Sequence, residues 1–185
     1  MREISCLNVQ QQKRLRKNNV SFSNKQRERE YVCARQLLRD MTRQKLQNVQ
    51  SISFKKNEKG KPFLEADQKR YEISIAHTKK WVFCGLSLGP PIGVDLEPVS
   101  RKVSKRLRKR MEHPAEKGGG LDIDTLRMWT IKESYIKRCG QGLRLNMNEV
   151  YITVDGDKYS ATSNNDISVQ ICSFQHQQHW MAIAY

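Results

Sequence analysis

The sequence is poor in features that would place it in a membrane or tie it together covalently. The uncharged stretch Val82 to Val94 is interrupted by Gly85, Gly89, Pro90 and Pro91, so no bilayer span is expected. Met1 to Asn18 contains no apolar core of a secretory signal. The five cysteines, Cys6, Cys33, Cys84, Cys139 and Cys172, are odd in number and form no C-x-x-C pair. That argues against a disulfide framework and a thiolate zinc site, and it favours a reducing, cytoplasmic setting. Cys33, Cys84 and Cys172 are expected as small core residues. Neither G-x-x-x-x-G-K-[ST] nor G-x-G-x-x-G occurs, and His176 and His179 have no third ligand in view for zinc. Acid is also scarce, with 19 Asp+Glu against 34 Lys+Arg in 185 residues, a net charge of +15.

The basicity is patchy. Residues 1 to 50 hold 12 Lys/Arg and 4 Asp/Glu, and Arg101 to Arg110 holds 7 basic residues and no acid. Such patches suit an anionic partner, whether nucleic acid, a phosphorylated cofactor or an acidic protein; the plain alternative is a solvated face. Val103 and Leu107 stand four apart in the basic run, which fits a short helix with a thin apolar stripe.

Ser23 followed by Gln26 reads as a capping box for an amphipathic helix over residues 24 to about 47, with Tyr31, Ala34, Leu38 and Met41 at helical spacing. Strands are expected at Ser51 to Phe54, around Tyr71 to Ile75, at Trp81 to Leu88 and at Ile92 to Leu96, with Gly60 to Leu64 closing a polar turn. Residues 112 to 123, with Pro114 and Gly118 to Gly120, are expected to form a mobile loop without regular structure. Asp124 caps a second long helix to Cys139. Strands follow at Val150 to Val154, Lys158 to Thr162, Ile167 to Phe174 and Trp180 to Ala184. The order helix then strands occurs twice, and Ile73-Ser74-Ile75 before Trp81 is echoed by Ile167-Ser168-Val169 before Trp180. Two similar halves, 1–100 and 101–185, are therefore expected.

In Gly93-Val94-Asp95-Leu96-Glu97 the alternation of a strand puts both carboxylates on one face. Two adjacent carboxylates repel unless a cation sits between them; the plainer reading is an exposed polar face. On the second helix Leu126, Trp129, Glu133 and Ile136 share a face, so Glu133 lies on an apolar stripe and must be paired or coordinated. A buried salt bridge to an Arg is the alternative to a metal. Asp95, Glu97 and Glu133 together would suit magnesium, and Lys137, one turn on, or Lys132 beside it would suit phosphate. His77 ends its strand before the turn Thr78-Lys79-Lys80 and reads as structural unless a ligand is near; Lys61 reads as an accessible turn lysine.

Taken together, Gly60-Lys61-Pro62, His77, Gly93-x-Asp95-x-Glu97 and Trp129-x-x-Lys132-Glu133-Ser134-x-x-Lys137, in that order, resemble the 4'-phosphopantetheinyl transferases, specifically the monomeric type that activates surfactin synthetase. The similarity runs from about Ser21 to Tyr185. The resemblance implies an α+β fold of two related halves, each a small antiparallel sheet on a long helix, with coenzyme A in the cleft between them. It implies transfer of the phosphopantetheine arm of coenzyme A to a serine of an apo acyl or peptidyl carrier protein, with release of 3',5'-ADP. Asp95, Glu97 and Glu133 would then hold Mg²⁺, Lys137 would steady phosphate charge, and Glu133 would take the serine proton. Lys61 and His77 would contact the 3'-phosphate and pyrophosphate, and Arg29 or Arg35 would supply a basic contact from the first helix. Ala76 departs from the Ser that many relatives carry before this His. The carrier protein would dock near Arg101 to Arg110, and the protein is expected to be a monomer that binds neither nucleic acid nor membrane. The competing expectation is a small basic nucleic-acid-binding protein, although no RRM, KH or helix-turn-helix signature occurs.

Overall fold

The structure is a computed structural model and describes residues 1–3, 22, 24–117, 121–163 and 167–185. Helix α1, Lys25–Lys45, starts where the Asn24 side chain accepts a hydrogen bond from Arg27 N–H. The expected cap Ser23 lies outside the described residues. Val32, Cys33, Ala34, Leu38 and Thr42 form the buried face of α1, against a sheet of β1 (Arg2–Glu3), β2 (Ile52–Lys56), β3 (Pro62–Ala66), β4 (Lys69–His77) and β5 (Trp81–Ser87). Strand β3 occupies the stretch expected as a turn. Pro62 is tolerated because it is the first residue of the strand, and Leu64 is fully buried between Phe54 and Tyr71 in register.

The second half contains β6 (Gly93–Pro98), α2 (Lys105–Met111), α3 (Thr125–Cys139), β7 (Val150–Asp155), β8 (Lys158–Ser163), β9 (Val169–His176) and β10 (His179–Ala184). The sheet orders are β1-β5-β4-β3-β2 and β6-β10-β9-β8-β7. Each half is thus a lone strand, a long helix and four consecutive antiparallel strands, with the lone strand paired to the last; the second half adds the short helix α2. The α+β architecture of two similar halves is confirmed. Strand β6 pairs with β10 and so belongs to the second sheet.

Strand β6 is buried on both sides. Val94 and Leu96, 0% and 2% exposed, join Ala76, Phe83 and Met181 in a core between the two sheets. Each such side chain contributes about 1.5–3 kcal/mol when buried, enough for this small cluster to hold the halves together. Val94 N–H donates to Ser74 Oγ across the same boundary at 2.9 Å. On the other side β6 lies against α3.

Other expectations are corrected by packing. Residues 112 to 123 are not wholly irregular: Pro114–Glu116 forms a 3-10 turn capped by His113, and Glu116 is buried. Gly118 to Gly120 lie outside the described residues. Cys172 is exposed, because on β9 it alternates with the inward-facing Val169 and Ile171. Val103 precedes α2 rather than lying within it, and Leu107 packs on the second core. Among the described residues no helix is long and apolar enough to cross a membrane.

Candidate active site

The site forms where β6, α3 and the β2–β3 turn converge. Gly93 permits the close approach of β6 to α3: a Cβ there would stand 1.9 Å from Ser134 O and 2.5 Å from Arg138 N. Two residues along, Asp95 projects toward the helix, where Lys137 Nζ donates to its Oδ1 at 2.6 Å. Asp95 Oδ2 is buried without a hydrogen-bond partner. Glu97, on the same face, is paired with Arg101.

Glu133 lies one turn before Lys137. Burial is the first cause raising its pKa, and the negative charge of Asp95 adds to it, with a further contribution from Glu97. Asp95 is raised by burial against the opposing pull of Lys137, and Glu97 by burial against Arg101. Three carboxylates thus share one electrostatic environment, with two cations at its edge. Their oxygen chemistry and the unpartnered Asp95 oxygen fit a hard divalent cation, although among the described residues no three His, Cys, Asp or Glu side chains are already arranged as a ligand cluster.

Two cavities meet at Lys137. One, of about 270 Å³, is lined by Gly60, Lys61, Pro62, Ser74, Lys137 and Gly140 from both halves. The other, of about 830 Å³, is a groove whose walls include Met111, Trp129, Glu133, Ile136, Lys137 and Met147. The first cavity lies between the halves and the second within the second half, and Lys137 lines both, between the Gly-Lys-Pro turn and Glu133.

Lys61 is not an accessible turn lysine. Its side chain is 10% exposed, and its ammonium donates to Arg138 O at 2.8 Å and lies 3.4 Å from Glu72. It binds the C-terminal end of α3, where a cation complements the helix dipole. Gly140 closes that helix at φ +66, and a Cβ there would meet Lys61 Cδ at 2.8 Å.

Lys132 points away from the carboxylates. It is completely buried and donates to Met111 O at 2.8 Å, Glu116 Oε2 at 2.5 Å and Val150 O at 2.8 Å. Of the two candidate phosphate lysines, only Lys137 faces the site. His77 is about half exposed, with Nδ1 3.2 Å from Glu30 Oε2; Arg29 is exposed on α1. No described contact joins either residue to the carboxylate group. Sequence reasoning missed Ser74 and Glu30, and took Arg101 only as the first residue of the basic run. The alternation Ile73-Ser74-Ile75 already put Ser74 on the opposite face from its apolar neighbours, whereas Glu30 and Arg101 carried no local signal.

Residues 91–184 match the model of the 4'-phosphopantetheinyl transferase superfamily. That segment carries β6, α3 and all three carboxylates, and the chain belongs to this superfamily. It is 34% identical over 110 residues to the 4'-phosphopantetheinyl transferase gsp of Aneurinibacillus migulanus, covering 56% of this chain and 44% of that protein. It is 30% identical over 123 residues to the 4'-phosphopantetheinyl transferase Sfp of Bacillus subtilis, covering 63% of this chain and 54% of that protein. The chain thus spans about half the length of the curated relatives it matches.

Proposed function

We propose that the protein transfers the 4'-phosphopantetheine arm of coenzyme A to a serine of an apo acyl or peptidyl carrier protein, in a Mg²⁺-dependent reaction that releases 3',5'-ADP. The observation that supports this reading is the contact of Lys137 with Asp95, with Glu133 one helical turn before Lys137 and Glu97 on the face of β6 that carries Asp95. Asp95, Glu97 and Glu133 would hold the metal, which would supply positive charge against the pyrophosphate. Lys137 steadies the phosphate as the bond to the serine oxygen forms and the bond to the 3',5'-ADP oxygen breaks. Glu133, its pKa raised by burial, takes the serine proton. Lys61 contacts the nucleotide phosphates by exchanging its bonds to Arg138 O and Glu72, and His77 and Arg29 contact them from the first half.

Carrier docking is assigned to α2 and the residues just before it, where Lys102, Lys105, Arg106, Lys109 and Arg110 are exposed, while Arg108 is occupied with Glu112 and the carbonyls of Leu121 and Ile123. Carrier proteins are typically acidic around their serine, so Lys105→Glu with Arg106→Glu should lower kcat/KM for the carrier about tenfold at low salt and much less at high salt. Stopped initial-rate assays across an ionic-strength series check this.

The reaction itself is tested by intact-mass spectrometry of an apo carrier protein incubated with this protein, coenzyme A and Mg²⁺. A mass gain of one phosphopantetheine is expected, abolished by EDTA and restored by excess Mg²⁺. Glu133→Gln should lower the rate about a hundredfold or more, the loss of a general base. No gain across several carriers, with no binding of coenzyme A, would overturn the reading and favour a nucleic-acid ligand for the basic surface.

A further inference from the structure

Arg101 opens the basic run, yet it does not share the outward aspect of its neighbour Lys102. Strand β6 ends at Pro98, and Arg101 N–H donates to Pro98 O at 2.9 Å, a turn that folds the arginine back over the strand it has just left. Its Nη1 pairs with Glu97 Oε1. The same guanidinium lies over the Trp129 ring, 4.7 Å from the centroid. Trp129 stands one turn before Glu133 on α3 and lines the same groove. One side chain therefore connects the end of β6 to the face of α3 that carries Glu133.

An oxygen of Glu97 engaged by a guanidinium is one that a divalent cation must win. The cation–π contact gives Arg101 a second attachment that does not depend on Glu97, and tryptophan is the ring that holds a guanidinium best. We propose that Arg101 is the resident counter-ion of Glu97 and competes with a divalent cation for it, so that metal binding releases the guanidinium from Glu97 while Trp129 retains it. This rests on the reading of Asp95, Glu97 and Glu133 as oxygen donors. Arg101 is thus a residue that sets metal affinity, distinct from the exposed residues of the basic run.

The test uses Mn²⁺ as the probe on the full chain, without coenzyme A or carrier, with free Mn²⁺ followed by electron paramagnetic resonance. Arg101→Gln is expected to bind Mn²⁺ about tenfold more tightly than the parent, because a competing charge in contact is removed. Lys102→Gln, which removes the same charge from an exposed neighbour, should change affinity far less. In a Trp81→Phe, Trp180→Phe background, Mg²⁺ should alter Trp129 fluorescence when Arg101 is present and leave it unchanged in Arg101→Gln. Unchanged or weaker Mn²⁺ binding by Arg101→Gln, or an equal gain in Lys102→Gln, overturns the competition while leaving the metal site standing. Absence of Mn²⁺ binding in the parent and every variant overturns both.

Discussion

Glu116→Ala is expected to cost about 3–5 kcal/mol of stability, the penalty for removing one partner of a buried ion pair. The Lys132 ammonium, with no exposure, would keep two carbonyl acceptors and lose the Glu116 carboxylate. The substitution would also strand the N–H groups of His113 and Ile152, which now donate to Glu116 at 2.8 Å each. Domains of this size are stable by only about 5–15 kcal/mol, so the loss would be visible in a urea titration as a lower midpoint at unchanged slope. Replacing both partners, Glu116→Leu with Lys132→Met, should recover part of the loss, since a packed apolar pair avoids desolvating two charges. A loss below about 1 kcal/mol for Glu116→Ala would mean that water reaches the pair, contrary to its burial. The pair matters to the site because it joins α3 to the segment 111–116 that forms the opposite wall of the Glu133 groove.

Gly93→Ala is expected to be as damaging, for a steric reason. The added methyl would meet Ser134 O and Arg138 N, which are backbone atoms of α3 and cannot rotate away. Overpacking usually costs about 1–3 kcal/mol; here the helix itself must shift, so about 3 kcal/mol or more is expected. Because β6 carries Asp95 and α3 carries Glu133 and Lys137, the folded fraction should also lose the 2.6 Å contact between Lys137 and Asp95 and much of its transfer rate. Gly85→Ala is the control. Its Cβ would stand 2.9 Å from Ile92 Cδ1 and Val94 Cγ1, side-chain ends that can give way, and a smaller cost is expected. Thermal unfolding of the two variants, with transfer rates measured below the transition, separates these outcomes; equal costs would show that β6 and α3 do not constrain each other.

Where the physics is local, the sequence was readable. Helices α1 and α3 follow from apolar residues at helical spacing, and Asp124 caps α3 by accepting from the N–H groups of Leu126 and Arg127. The alternation of Val94 and Leu96 with Asp95 and Glu97 gave the face on which the carboxylates lie, and helical spacing put Glu133 and Lys137 together. Strand β3 was hidden because Pro62 and the Gly60 turn obscure a segment whose strand character comes from neighbours on both edges. Lys61 looked like a surface residue for the same reason: the carbonyl it binds belongs to Arg138, in the other half of the chain.

The sequence by itself determined the helices, most of the strands, the repeat of the two halves and the order in which three carboxylates and Lys137 occur. Only the tertiary structure decided that Lys132 turns to Glu116, that Lys61 ties the halves together and that Arg101 folds back onto Glu97 and Trp129. Periodicity assigns a side chain to a face because it depends on neighbours within a few residues. The partner waiting at that face is set by packing between elements far apart in the chain, as with Lys137 and Asp95, 42 residues apart. The cost of burying a charge then favours the arrangement in which the Lys132 ammonium meets Glu116 and the carbonyls of Met111 and Val150.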